Sequence, residues 1–137
     1  MTETVITLRL TVADPVPGVR YSLQDQNSVP VGPRTASDKP LVFEIPVRLH
    51  PDGRKTGPFV RREGPGRRFV YIAIGTAAGD CGSVWSRRAK IDIHDIPATL
   101  LDEARAGRVL AADLPGRDRK GGPACATVRP LDGWRAL

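Results

Sequence analysis

The sequence predicts a mainly β fold, a single-domain small β-barrel or β-sandwich with one short α-helix. Three observations carry that expectation. Several short segments alternate apolar and polar residues at a period of two. Gly 14 and Pro 13 are both above ordinary usage and fall between those segments, as turn residues do. Only one stretch has apolar residues at helical spacing together with helix start and stop signals.

Taken in order, Ile6, Leu8, Leu10 and Val12 alternate with Thr7, Arg9 and Thr11, which makes a half-buried strand. Asp14-Pro15-Val16-Pro17-Gly18 ends it, because proline lacks a ladder donor and glycine accepts a positive φ. Val19, Tyr21 and Leu23 form a second strand, and the polar stretch from Asp25 to Pro40 reads as loop with one edge segment. From Leu41 to Leu49 the apolar face is Phe43, Ile45, Val47 and Leu49, with Pro46 pointing to an edge or bulge and His50-Pro51-Asp52-Gly53 to a turn. The run Phe69-Val70-Tyr71-Ile72-Ala73-Ile74 is apolar at consecutive positions, so it is expected to be a central strand covered on both faces. Arg61-Arg62 and Arg67-Arg68 flank Glu63-Gly64-Pro65-Gly66 as the two arms of a hairpin.

After the glycine-rich stretch Gly75 to Gly82, a strand is expected from about Val84 to Ile93. The helix is expected from Ile96 to Ala106, with Ile96, Leu100 and Ala104 on its inner face, Pro97 in its first turn and Gly107 closing it. Short strands near Val109 to Ala111 and Ala124 to Val128 are separated by a charged loop from Pro115 to Gly122. At 137 residues, with no linker, repeat or low-complexity tract, residues 1–137 read as one domain.

No stretch approaches the ~20 apolar residues of a membrane helix, and the first residues lack a signal-peptide core, so no membrane partner and a cytoplasmic location are expected. Two cysteines without an export signal are expected to be free thiols. The formal net charge of +6 favours encounters with anions, although 17 of the 21 basic residues are arginine in an Ala/Gly/Pro-rich chain, which base composition also produces.

The strand pattern places Trp85, Arg87, Ala89, Ile91 and Ile93 on one face and Ser86, Arg88, Lys90 and Asp92 on the other. Arg87 thus falls on the apolar side, where a permanently charged guanidinium needs a carboxylate such as Glu44, carbonyls or a ligand anion. The expected ligand-binding residues are Arg87, Trp85 and Tyr71, with Thr76 and Gly79 from the glycine-rich loop, and the expected partner is a small anionic ligand. That loop matches neither phosphate-binding fingerprint, so it also reads as a plain connection. Cys125, between two alanines, reads as a small core residue rather than a nucleophile, and no catalytic residue is assigned. Cys81, Cys125, His50 and His94 have no zinc-ligand spacing, so neither metal nor cofactor is expected. Nucleic acid is disfavoured, because the arginines of the hairpin and of the Arg117-Arg119-Lys120 loop come with few aromatics for stacking. A small enzyme acting on an anionic substrate and a basic interaction module for nucleic acid or an acidic protein remain the alternatives. Neither ligand identity nor oligomeric state follows from the sequence.

Six segments carry a resemblance: Pro17 to Gln24, Leu41 to Glu44, Gly57 to Val60, Arg68 to Tyr71, the run Ser83-Val84-Trp85-Ser86-Arg87-Arg88-Ala89-Lys90-Ile91, and the run Gly121-Gly122-Pro123-Ala124-Cys125-Ala126-Thr127. Over nearly its whole length the chain resembles a small bacterial family catalogued as domain of unknown function family 5990. The resemblance implies a stand-alone bacterial domain. It brings no activity and no catalytic residue.

Overall fold

A computed structural model describes residues 3–76 and 87–137. The elements are β1 (Thr4–Val12), β2 (Val19–Gln24), β3 (Pro30–Thr35), β4 (Leu41–Leu49), β5 (Lys55–Thr56), β6 (Arg61–Arg62), β7 (Arg68–Thr76), β8 (Arg87–Asp92), α1 (Ala98–Arg105), β9 (Leu110–Leu114), β10 (Ala126–Thr127) and β11 (Arg135–Ala136). They form two sheets. One has the order β11-β9-β1-β4-β5, and the other β10-β8-β7-β2-β3 with β6 also paired to β7.

The period-two pattern decides which side of each sheet becomes core. Ile6, Leu8, Leu10 and Val12 of β1 and Phe43, Ile45, Val47 and Leu49 of β4 are all buried, and the same cluster takes in Val70, Ile72 and Ile74 of β7 and Ala89 and Ile91 of β8. The two strands of the first set are antiparallel and in register, Leu8 opposite Ile45 and Leu10 opposite Phe43. β9 runs parallel to β1, with Leu8 opposite Leu110, after a connection that contains α1. At the other end of the core, the Tyr21 hydroxyl accepts a hydrogen bond from the Val16 N–H at 3.0 Å, so this buried ring keeps its polar tip satisfied.

Both sheets are open, which settles the two-way expectation as a sandwich and corrects the barrel. Closure needs hydrogen-bonded partners at the outer strands. Of these, β5, β10 and β11 are two residues long, and β3 contains Pro30 and Pro33, which lack ladder donors. Pro46 fits its strand for a related reason: β5 pairs only with Arg48 and Leu49, so most of that side of β4 is an edge.

The central strand was expected to be covered on both faces, and all six residues from Phe69 to Ile74 are buried. The hairpin arms also pair as expected, Arg62 opposite Arg68 and Arg61 opposite Phe69. The helix is shorter than the expected Ile96–Ala106. Pro97 is its N-cap, and Gly107, at φ 102°, follows its end. Leu101 and Ala104 are its buried residues, with Ile96 also buried just before it, while Leu100 is only partly covered. Cys125 is exposed, contrary to the expected core position, because β10 is an edge strand.

Two substitutions test this packing by loss of denaturant midpoint. Leu8→Ala removes a fully buried side chain between two paired strands and should cost about 2–5 kcal/mol. Gly116→Ala would place a Cβ 2.1 Å from the Asp14 carbonyl oxygen, so the backbone must move and a loss of about 1–3 kcal/mol is expected.

Candidate functional site

Among the described residues no second sheet covers the outer face of β7, yet it carries Phe69 and Tyr71, with ring centroids 6.5 Å apart. Cationic side chains supply the cover. Arg61 and Arg88 lie over the Tyr71 ring at 4.8 and 4.5 Å, and Lys90 and Arg67 over the Phe69 ring at 4.1 and 5.5 Å. The aliphatic stems exclude water and the charged heads remain at the surface. Two carboxylates pair with half of this roof: Glu63, at the hairpin tip, accepts from Lys90 at 2.5 Å and from the Tyr71 hydroxyl, and Asp92 lies 3.8 Å from Arg67. Burial, followed by the bond to Glu63, pushes Tyr71 up to about 12, whereas Lys90 and Tyr71 hold Glu63 below its usual range. Tyr71, expected to bind ligand, is thus 1% exposed and engaged beneath this roof.

A different arrangement occupies the end of the sandwich. The inner-facing row of β4 ends at Leu49, opposite Lys55, and the inner-facing row of β7 begins two residues before Val70, at Arg68. Both apolar rows therefore terminate in cations. Arg68 Nε donates to the Lys55 carbonyl at 3.2 Å, tying the two sheets together. The segment from Gly57 to Val60 crosses between the sheets and is held by Gln26, whose Nε2 donates to the Gly57 carbonyl at 2.6 Å.

Between β5 and β6 this leaves a cleft of about 450 Å³. Its charged lining is Arg54, Lys55, Arg61, Arg62 and Arg68, with no Asp or Glu. A neighbouring cleft of about 330 Å³ shares Arg54, Lys55 and Arg68 and adds Asp52 and His94. Seven cations elsewhere, including Arg9, Arg108, Arg117 and Arg135, have a carboxylate within 4.0 Å; among the described residues none of the five cleft cations does, and while scattered surface cations such as Arg48 and Arg129 also lack one, in the cleft five such groups lie together. Arg61 is shared between the two regions: its guanidinium lies over the Tyr71 ring, its Nη1 donates to the Ser28 hydroxyl at 2.6 Å, and it also lines the cleft.

Lys55 is the least solvated of the five, at 5% exposure. Its one described hydrogen bond runs from Nζ to the Gly53 carbonyl at 3.3 Å. Burial lowers its pKa, Arg105 and Arg68 push the same way, and Asp92 and Asp95 oppose them. A desolvated ammonium with no close counter-ion is costly, and such groups concentrate at functional sites.

The other expected site residues fall largely outside what the structure describes. Trp85 and Gly79 lie outside the described residues, as do Cys81 and the side chains of Arg87 and Thr76. The backbone register of β8 pairs Arg87 with Ile74 and Ala89 with Ile72, and Arg88 is exposed. Lys55 escaped sequence reasoning because it lies in a two-residue strand with no periodicity. The Pro-Asp-Gly turn before it was visible, but its pairing partner was not.

The sequence matches the family described as Family of unknown function (DUF5990) over residues 6–137, and the chain belongs to that family. No curated protein and no solved structure matches it. No helix among the described residues is long and apolar enough to cross a membrane.

The roof yields a titration test. Glu63→Gln removes the carboxylate that favours the protonated phenol, so the tyrosinate transition of Tyr71 should move to lower pH in an ultraviolet titration. In the wild type, the raised Tyr71 pKa means that the native state holds a proton the unfolded chain releases, so stability should fall as pH rises from 10 towards about 12. A Tyr71 transition unmoved by Glu63→Gln would show that the bond is not made in solution.

Proposed function

We propose that this domain binds a small anionic ligand in the cleft between β5 and β6, with Arg54, Arg61, Arg62 and Arg68 as the recognising cations and Lys55 at its base. The observation that carries the proposal is the clustering of charge: five cations, Arg61 shared with the roof, line one cleft whose lining has no Asp or Glu, whereas Glu63 and Asp92 pair with two of the four cations over Phe69 and Tyr71. Clustered like charges cost stability unless an anion offsets them. Arginine forks suit carboxylate and phosphate oxygens, and a volume of about 450 Å³ is in the range of small-molecule sites.

Proximity of the hairpin arginines also favours a second reading, a surface for a polyanion. The two readings differ in their salt response. A small ligand held by a few oxygens saturates at one site, whereas a nucleic acid would bind with a steep salt dependence that grows with the number of phosphates contacted.

The test is a thermal and chemical denaturation series in inorganic phosphate and citrate, with a single-stranded oligonucleotide as competitor. Saturable stabilisation is expected, about 2.7 kcal/mol at a ligand concentration 100 times Kd. Arg62→Ala, at an exposed position, should weaken it without lowering the stability of the unliganded protein. Equal stabilisation of wild type and a combined Arg54→Ala, Arg62→Ala, Arg68→Ala variant would contradict the proposal.

A further inference from the structure

Lys55 has features that a purely electrostatic anion site does not need. Arginine holds an anion without losing its proton, and four arginines already line the cleft. The remaining position is filled by a primary amine that is 5% exposed, borders both clefts and has no carboxylate within 4.0 Å among the described residues. The other lysines are placed differently: Lys90 is clamped by Glu63 at 2.5 Å, and Lys39 and Lys120 are exposed.

Resting on the anion-binding proposal, we infer that Lys55 is a nucleophilic amine that condenses with the carbonyl carbon of a small oxo acid whose carboxylate is held by the cleft arginines. The neutral Nζ lone pair attacks the carbonyl carbon, a C–N bond forms, and the C–O π pair moves to oxygen. That oxygen takes a proton while nitrogen loses one, giving a carbinolamine. The hydroxyl takes up a proton and departs as water as the nitrogen lone pair forms C=N, and loss of the remaining N–H proton from that iminium leaves an imine. One water is released and nothing is oxidised or reduced.

The environment makes the amine form easier to reach than it is for a solvated lysine. Desolvation disfavours the ammonium, and the guanidinium groups of Arg68 and Arg105 repel it. Asp92 and Asp95 act in the opposite sense from the β8 side, and Asp52, Arg54 and His94 are the further charged or titratable groups around the shared part of the two clefts. An arginine at position 55 would supply the same charge but could not form the imine.

The experiment uses the intact chain, pyruvate and sodium cyanoborohydride, which reduces an imine to a stable secondary amine. Peptide mapping should find the adduct at Lys55 and at the reactive α-amino group, with Lys39, Lys90 and Lys120 unmodified. The Lys55 adduct should be suppressed by phosphate and absent in Lys55→Arg. Acetone, which has a carbonyl but no carboxylate, should label Lys55 more slowly than pyruvate does. Lack of a Lys55 adduct, or equal labelling of all the lysines, would overturn the inference. In that event continued stabilisation by phosphate would leave the anion site standing, and its loss would remove both. The wild-type labelling map does not depend on any variant folding.

Discussion

Strand β7 buries consecutive side chains from Phe69 to Ile74 on both faces of its sheet, and much of the molecule follows from how each face is covered. Val70, Ile72 and Ile74 meet the rows from β1 and β4, which makes the sandwich. Phe69 and Tyr71 meet no second sheet among the described residues. They are covered instead by side chains with apolar stems and charged heads, among them Arg61 from the hairpin and Arg88 and Lys90 from β8. Two-sided burial therefore draws basic residues to one side of the molecule as a packing requirement.

The hairpin that contributes to this roof also shapes the cleft. Arg61 and Arg62 form one arm, and Arg68 opens the other. Because side chains alternate along a strand, Phe69 faces the roof while Arg68 turns with the inner row towards Lys55. The two regions then differ in one respect that matters for function. Of the roof cations, Lys90 and Arg67 have Glu63 and Asp92 beside them, whereas the charges lining the cleft, Arg61 being common to both regions, have no carboxylate within 4.0 Å among the described residues. Folding tolerates a few such charges at a sandwich end, where guanidinium heads still reach water. Lys55, buried at the base, does not have that outlet.

Much of the fold was legible in the sequence because its signals are local. Period-two alternation marked β1, β2 and β4, and the unbroken apolar run marked β7. Pro97 and Gly107 marked the helix to within two residues of its start and one of its end. The parallel placement of β9 beside β1, the two-residue strands β5 and β11, and the choice of sandwich over barrel depend on pairings between distant segments. No residue pattern announces them. The site was less legible for the same reason. Arg61, Arg62, Arg67 and Arg68 stood out as a basic hairpin, but their arrangement into a partly paired roof and a cleft lined by cations requires knowing that Lys55 and Arg54 come alongside. Cys125 was misjudged because flanking alanines suggest burial, whereas position at a sheet edge decides it.

The central claim is that the cleft cations are uncompensated and arranged to share one anion. Arginine Nε–Hε resonances, followed by nitrogen-15 NMR during a phosphate titration, test it most directly. The signals of Arg54, Arg61, Arg62 and Arg68 should shift together with one common Kd, while those of Arg9, Arg108 and Arg135, which already have carboxylate partners, should hardly move. Small, unsaturating shifts spread evenly over all the arginines would contradict the claim.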